Sequence, residues 1–226
     1  MPRGPSALIF DFDGVIADDE PLHLAAFQHA LAAEGIALTR EAYYARYLGL
    51  DDHDAVLEAL REAGQGAPPE RVRAVMAAKA DRFLDLVRGG APVFPGVPGF
   101  VRDAAARVPL AIASGALRRE IELILAHSGL GECFALIVSA EDVRAGKPSP
   151  EGFLRALEGL RMHRLNLAAA ECLVIEDSQP GVEGARRAGM RCLAVTNSHP
   201  AEALEGADLI VGSLEEAEWG RLAALF

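Results

Sequence analysis

Two aspartates at the end of a short apolar run are the residues best suited to chemistry. The run Ala7–Phe10 is followed by Asp11, Phe12, Asp13 and Gly14. An apolar run that stops at a turn residue predicts a buried strand of a parallel sheet, and ligands bind at the C-terminal ends of such strands. Two carboxylates this close need a shared proton or a cation, and Mg²⁺ is the hard cation that carboxylates favour. The alternative is a turn with two solvated aspartates.

A second apolar run, Pro109–Ala113, ends in Ser114 and Gly115. At a strand end, the Ser114 hydroxyl can donate to an anion, and the backbone N–H groups at the start of the next helix can do the same. The alternative for Ser114 is an ordinary helix N-cap.

A lysine and a second pair of acids complete the set of candidate groups. Lys147 stands in a loop with prolines on both sides, which predicts a fixed position for its ammonium group. Such an ammonium group can neutralise carboxylate and phosphoryl oxygens, although most loop lysines are simply solvated. The apolar run Cys172–Ile175 ends in Glu176 and Asp177, in the same manner as the first run.

The order of the predicted elements indicates how these residues come together. We count five strands that alternate with helices, which predicts a doubly wound parallel sheet in an α/β fold. The C-terminal ends of parallel strands lie along one edge of the sheet. We therefore expect Asp11, Ser114 and Asp177 to lie close together despite their separation in the sequence.

A long segment between the first two strands has only helical patterns. Residues 17–91 show apolar positions at helical spacing, with loops at glycine and proline clusters, and no strand signal. We predict that this segment is an inserted all-helical domain and that residues 1–16 and 92–226 form the α/β core.

Composition limits the class of protein. The chain has 226 residues, of which 51% are hydrophobic and 24% are charged, as is typical of a soluble globular protein. A net charge of −11 argues against nucleic acid as a partner. No apolar segment approaches the roughly 20 residues of a membrane span, and no signal peptide is evident, so we expect a cytoplasmic protein that does not bind membranes. The three cysteines have no metal-ligand spacing.

The candidate segments resemble the motifs of the haloacid dehalogenase (HAD) superfamily, in the order of that family. Phe10–Asp18 is similar to the first motif, and the strand end at Ser114 is similar to the second. Lys147 before Pro148 resembles the third, and Glu176 with Asp177 resembles the fourth. The helical insertion resembles the mobile cap of β-phosphoglucomutase and phosphoglycolate phosphatase relatives.

The resemblance implies a covalent mechanism of phosphoryl transfer. Asp11 would attack phosphorus and become an aspartyl phosphate, and Asp13 would protonate the leaving oxygen and then activate the next attacking group. Lys147 and Mg²⁺ would stabilise the phosphoryl oxygens. Asp11, the backbone carbonyl of Asp13, and Asp177 would hold the metal, with Glu176 as a further ligand or a group behind the ligands. HAD dehalogenases usually lack an acid at the second position, so Asp13 disfavours dehalogenation.

Substrate choice is expected to lie in the cap. The segment Tyr47–His53 resembles the cap specificity loop of these families, in which relatives often have an arginine near the position of His53. The three aspartates beside His53 put a second phosphate or carboxylate on the substrate in doubt. The expected substrate-binding residues are Ser114, Gly115, His23, Gly49, His53 and Lys79. Plain packing is the alternative for His23, and an exposed position on the helix is the alternative for Lys79.

The leading hypothesis is a monomeric, Mg²⁺-dependent phosphatase of a small phosphorylated metabolite. The nearest alternative is a β-phosphoglucomutase-like mutase, in which a sugar hydroxyl rather than water attacks second. A further alternative is a phosphate-binding protein without catalysis, which the presence of every candidate acid, the lysine and the serine disfavours.

Overall fold

A computed structural model describes residues 4–48, 50–90 and 92–226. The chain divides into two compact units. An α/β unit contains the chain up to Asp18 and from Pro92 onward, and a helical unit contains Asp19–Ala91. The turn after the first strand keeps residues up to Asp18 with the sheet, because the N–H groups of Ile16 and Ala17 donate to the carbonyl of Phe12 and that of Asp18 donates to Pro92.

The α/β unit is built on a parallel sheet of six strands in the order β3-β2-β1-β4-β5-β6. The strands are β1 (Ala7–Phe10), β2 (Leu110–Ala113), β3 (Leu136–Val138), β4 (Cys172–Glu176), β5 (Arg191–Val195) and β6 (Leu209–Val211). The predicted α/β fold class is confirmed, but the predicted number of five strands is wrong. The short edge strand β6 is the sixth, since Leu209 pairs with Leu193 of β5.

Helices cover both faces of this sheet, as a parallel sheet requires. They are α5 (Val97–Ala105), α6 (Arg118–Ser128), α7 (Glu151–Leu160), α8 (Gln179–Arg187) and the short α9 (Trp219–Ala223). Every residue of β1, β2 and β4 is buried, which explains why these strands are continuous apolar runs. The strand order reverses between β1 and β4, and this reversal opens a crevice at their C-terminal ends.

The helical unit contains α1 (Glu20–Ala33), α2 (Arg40–Arg46), α3 (Asp52–Glu62) and α4 (Pro69–Val87). Side-chain caps define two of the helix starts: Thr39 Oγ1 accepts from the Ala42 N–H at 3.1 Å, and Asp51 Oδ1 accepts from the Asp54 N–H at 2.8 Å. The unit has its own apolar core, centred on residues such as Phe27 and Leu60. In the part of the chain that the structure describes, no helix is both long and apolar enough to span a membrane.

Candidate active site

The turn after β1 brings Asp11 and Asp13 to the crevice between β1 and β4. The Asp11 N–H donates to the carbonyl of Ile175 at 2.9 Å, which continues the pairing of β1 with β4. The chain then turns at Gly14, whose φ of +76° is a left-handed conformation that glycine adopts without strain. A Cβ at Gly14 would lie 1.9 Å from Asp177 Oδ2, so glycine is also required for the close approach of that carboxylate.

Lys147 joins the acid at the end of β1 to the acid at the end of β4. Its Nζ lies 2.5 Å from Asp11 Oδ1 and 2.5 Å from Glu176 Oε1. The side chain of Lys147 is 20% exposed, whereas the Glu176 side chain is fully buried. The predicted pairing of a rigid loop lysine with the leading carboxylate is therefore present as a direct contact.

A third carboxylate, that of Asp177, completes a buried acidic cluster. Asp11, Glu176 and Asp177 each offer an oxygen, and these oxygens lie within 4.8 Å of one another. All three residues are buried, and Lys147 is the ammonium group that contacts two of them. Three carboxylates against one ammonium leave negative charge in a buried place, which is unfavourable without a further cation.

The pKa values reflect burial first and this excess of negative charge second. Burial, followed by the charge of Glu176, raises the pKa of Asp11 to about 6 even though Lys147 acts in the opposite direction. Burial and the charges of Glu176 and Asp11 also raise the pKa of Asp177 well above its usual value. Burial acts to lower the pKa of Lys147, but Asp11 and Glu176 together raise it above its ordinary value. Lys147 is therefore charged at neutral pH.

Glu176 is fixed by the start of α8. Its Oε2 accepts from the N–H groups of Asp177 at 3.0 Å and Ser178 at 3.2 Å, and from Ser178 Oγ at 2.9 Å. Ser178 Oγ in turn accepts from the Gly181 N–H as the helix cap. A Cβ at Gly181 would lie 1.9 Å from Glu176 Cδ. Sequence reasoning missed Ser178 and Gly181, although a serine three residues before a glycine at a helix start is a recognisable signal.

Ser114 directly follows β2, which pairs with β1 so that Ile112 lies opposite Phe10. Ser114 is buried, and its Oγ accepts from the Ala116 N–H at 3.0 Å. The N-cap alternative for Ser114 is wrong, because α6 begins at Arg118 with Leu117 as its N-cap. Gly115 is exposed next to it. The pairing of β2 with β1 places Ser114 at the same edge of the sheet as Asp11.

Two residues after β5 support the turn that carries Asp13, which is itself half-buried. Asn197 Nδ2 donates to the Gly14 carbonyl at 2.7 Å. Ser198 forms a hydrogen bond with Asp177 that acts to lower the pKa of that acid. Sequence reasoning missed both residues, because β5 ends in no charged group that would have drawn attention to this loop.

The candidate substrate-binding residues of the helical unit mostly contact other residues of the same unit. Lys79 is fully buried, so the alternative of an exposed helix lysine is wrong. Its Nζ lies 2.8 Å from His23 Nδ1 and 2.8 Å from Asp52 Oδ2. His53 is exposed, and its Nδ1 lies 3.1 Å from Asp54 Oδ1. Gly49 lies outside the described residues.

The sequence matches the profile of a family described as haloacid dehalogenase-like hydrolase over residues 8–195. This range contains both the acidic cluster and the helical unit. The chain belongs to the haloacid dehalogenase-like hydrolase family. The resemblance deduced from the four motifs is thereby confirmed. HAD proteins generally use a metal ion, and the buried acidic cluster of this chain is a group of residues able to hold one.

Several named relatives align with most of this chain. Protein CbbY of Rhodobacter capsulatus is 31% identical over 200 residues, which are 85% of this chain and 86% of the relative. The fructose-1-phosphate phosphatase YqaB of Escherichia coli is 32% identical over 192 residues, 84% of this chain and 96% of the relative. A crystal structure of a CbbY mutant from Rhodobacter sphaeroides, in complex with xylulose-1,5-bisphosphate, superposes with a TM-score of 0.83 at 27% identity, covering 94% of this chain and 96% of that one. The expected enzyme class, a HAD-type phosphoric monoester hydrolase, is supported by the family and by the phosphatase among these relatives.

Proposed function

We propose that this HAD protein is a Mg²⁺-dependent phosphatase of a small phosphorylated metabolite. The observation that carries the proposal is the contact of Lys147 with both Asp11 and Glu176, beside the carboxylate of Asp177. This arrangement combines a nucleophilic carboxylate, a fixed ammonium group and acids that can hold a cation. These are the parts that phosphoryl transfer through an aspartyl phosphate needs.

The acidic cluster has the chemistry of a magnesium site. Carboxylate oxygens are the ligands that Mg²⁺ prefers, and three buried carboxylates facing one ammonium favour a divalent cation. We propose that Asp11, the carbonyl of Asp13, and Asp177 hold the metal and that Glu176 supports it or binds it. When bound, Mg²⁺ would neutralise charge on the phosphoryl oxygens and leave the Asp11 carboxylate ionised.

Each side chain of the site has its own role in the proposed reaction. Asp11 attacks phosphorus in line, so that a new bond forms from its carboxylate oxygen as the bond to the leaving oxygen breaks. Asp13 gives a proton to that leaving oxygen and then takes one from the water that hydrolyses the aspartyl phosphate. Lys147 holds positive charge beside the attacking carboxylate and the phosphoryl oxygens. Ser114 and the N–H of Gly115 donate hydrogen bonds to those oxygens.

We further propose that the helical unit acts as the cap and selects the substrate. The segment of Gly49 and His53 would contact the part of the substrate that lies away from the phosphoryl group. His23 and Lys79 would act on this segment through Asp52, which Lys79 contacts directly. Hydrolysis rather than mutase chemistry is favoured by the activity named for the curated relative YqaB, a fructose-1-phosphate phosphatase.

The test is turnover of p-nitrophenyl phosphate with Mg²⁺ and with EDTA. We expect activity that requires the metal and that falls at least about 10³-fold in Asp11→Asn, because an amide cannot act as the nucleophile. Asp103→Asn is the matched control, since Asp103 is an exposed aspartate on α5 of the same unit, and it should retain full activity. Activity that is indifferent both to EDTA and to Asp11→Asn would overturn the proposal.

A second assay distinguishes the phosphatase hypothesis from the mutase hypothesis. The protein is incubated with β-glucose 1-phosphate and a trace of the corresponding bisphosphate. Release of inorganic phosphate supports the phosphatase, whereas accumulation of glucose 6-phosphate would establish the mutase.

A further inference from the structure

Two loops of the α/β unit that carry candidate catalytic groups are joined by side chains that have no role in the proposed chemistry. The first loop follows β2 and begins with Ser114, and the second follows β3 and contains Lys147. The two loops start side by side, because Ala113 pairs with Val138 and the Ser114 N–H donates to the Val138 carbonyl at 3.0 Å. Contacts between these loops therefore affect the placement of both the hydroxyl and the ammonium group.

Asp142 is the acceptor at the centre of these contacts. Its Oδ2 accepts from the Ser139 N–H at 2.8 Å, from Ser139 Oγ at 2.8 Å and from Arg118 Nη2 at 2.6 Å. The hydrogen bond from the Ser139 N–H, and then those from Ser139 Oγ and Arg118, lower the pKa of Asp142 against the opposing effect of burial. The Asp142 carboxylate is therefore ionised at neutral pH, and one of its oxygens binds donors that follow β2 and β3.

Arg118, the first residue of α6, extends the same connection. Its Nη2 also donates to the Ile137 carbonyl at 2.9 Å, and its backbone N–H donates to Glu141 Oε2 at 2.7 Å. Within its own helix, Arg118 Nη1 lies 3.9 Å from Glu122 Oε1, at the long limit of an ion pair. The end of the loop after β2 is thus bound to β3 and to the residues that follow it.

Ala116 connects these contacts to Ser114. The Ala140 N–H donates to the Ala116 carbonyl at 3.0 Å, and the Ala116 N–H donates to Ser114 Oγ at 3.0 Å. A hydroxyl has one hydrogen and two lone pairs, so this bond occupies a lone pair and leaves the hydrogen to donate to an anion. A shift of the short turn Ala140–Asp142 would therefore shift the Ser114 hydroxyl as well.

The loop that carries Lys147 is held on both sides of that residue. Asp142 holds the loop before Lys147, through its contacts with Ser139 and Arg118. Glu151, the first residue of α7, holds the turn next to Lys147, because its Oε2 accepts from the N–H groups of residues 144 and 145 at 3.0 and 3.3 Å. Lys147 therefore lies on a short segment between two acids that bind the backbone.

We propose that Asp142 is a positioning residue, which holds the Ser114 loop and the Lys147 loop in the arrangement that phosphoryl transfer requires. It acts through Ser139 and Arg118, and not by contact with the phosphoryl group. The side chains of Arg118 and Asp142 are 38% and 37% exposed, and an ion pair this exposed contributes little to stability. A displacement of about 1 Å in a positioning group can nevertheless lower a rate by about 10²-fold. This inference rests on the proposed phosphatase function.

The test is the steady-state kinetics of Asp142→Ala with p-nitrophenyl phosphate and Mg²⁺. We expect kcat to fall by about 10- to 100-fold, with a much smaller change in KM, because Ser114 and Lys147 act on charge that develops in the transition state. Asp142→Asn keeps an oxygen that can accept from Ser139, so it should recover most of the lost kcat.

Asp208→Ala is the matched control. Asp208 Oδ2 accepts from the Cys192 N–H at 2.8 Å, and its Oδ1 accepts from Arg191 Nη1 at 2.7 Å, so it has the same two kinds of donor as Asp142. These contacts lie at the N-terminal ends of β5 and β6, opposite the edge of the sheet that carries the candidate site. Asp208→Ala should lower the melting temperature by an amount similar to that of Asp142→Ala and leave kcat unchanged.

The outcomes separate this inference from the proposed function. If the wild-type protein hydrolyses the ester and Asp142→Ala keeps its kcat, the positioning role is overturned and the phosphatase stands. An equal fall of kcat in Asp208→Ala would show a general effect of stability and would also overturn the role.

If the wild-type protein does not hydrolyse the ester, the dissociation constant of inorganic phosphate is measured by calorimetry in the presence of Mg²⁺. Weaker binding in Asp142→Ala but not in Asp208→Ala would then support the positioning role while refuting hydrolysis. Equal binding in the three proteins, or no binding to the wild type, would overturn the positioning role together with the phosphatase.

Discussion

Each unit of the protein has one lysine with polar partners, and the two lysines have different surroundings. In the α/β unit, Lys147 contacts Asp11 and Glu176 at 2.5 Å, and the carboxylate of Asp177 lies in the same cluster. In the helical unit, Lys79 contacts one carboxylate and one imidazole at 2.8 Å and lies over two aromatic rings. Two carboxylates contact the ammonium of Lys147 with a third beside them, whereas one carboxylate contacts the ammonium of Lys79.

The comparison shows that unmatched carboxylates, rather than the lysine itself, give a reason to bind a cation. A buried cluster with unmatched carboxylates is unstable unless it gains a proton or a cation, and the raised pKa values of Asp11 and Asp177 express that cost. The α/β cluster therefore has a physical reason to bind a metal.

The largest expected effect comes from removing each lysine in turn. Lys147→Met leaves buried carboxylates without their cation, and we expect the free energy of unfolding to fall by about 3–5 kcal/mol. Lys79→Met leaves the carboxylate of Asp52 without its cation, but this side chain is 24% exposed and can be solvated, so a loss of about 1–2 kcal/mol is expected. Urea denaturation at pH 7 with EDTA measures both values. Equal losses would contradict the distinction between the two clusters.

The same contrast shows how much could be predicted from the sequence. Asp11, Ser114 and Asp177 follow apolar runs directly, so the topology of a parallel sheet was sufficient to bring them to one edge. The partners of Lys79 lie 27 and 56 positions away on other helices, and helical periodicity does not determine which faces of separate helices meet. Periodicity therefore identified the helices of this unit but left Lys79 as either exposed or available to substrate.

Supporting contacts were also beyond the sequence patterns. Asn197 serves the site through a hydrogen bond to a backbone carbonyl 183 positions away, and a residue type alone cannot indicate such a contact.

A second prediction concerns the pH dependence of the metal-free protein. Because the pKa of Asp11 in the folded protein is raised from 3.8 to about 6, the folded state holds this proton more tightly than the unfolded state. The resulting stabilisation is complete below pH 4 and is lost as the pH rises through 6. Asn at this position avoids the buried charge, so Asp11→Asn should be more stable than the wild type at pH 7, by on the order of 3 kcal/mol.

Urea denaturation in EDTA between pH 4 and pH 8 measures this difference. It should be small at pH 4 and grow toward neutral pH, with Asp103→Asn following the wild type throughout. A stability difference that does not change with pH would show that neither burial nor neighbouring negative charge raises the pKa of Asp11, and the contrast with the helical unit would then disappear.

The smallest predicted effect compares two side-chain amides, one in each unit. Asn197 Nδ2 donates to the Gly14 carbonyl at 2.7 Å, and Gln28 Nε2 donates to the Leu38 carbonyl at 2.9 Å. Loss of either bond should cost about 1 kcal/mol or less of unfolding free energy. Only Asn197→Ala should also lower kcat for p-nitrophenyl phosphate, by several-fold, because the Gly14 turn positions Asp13. If Gln28→Ala lowers kcat equally, hydrolysis depends on general rigidity of the chain and not on this turn.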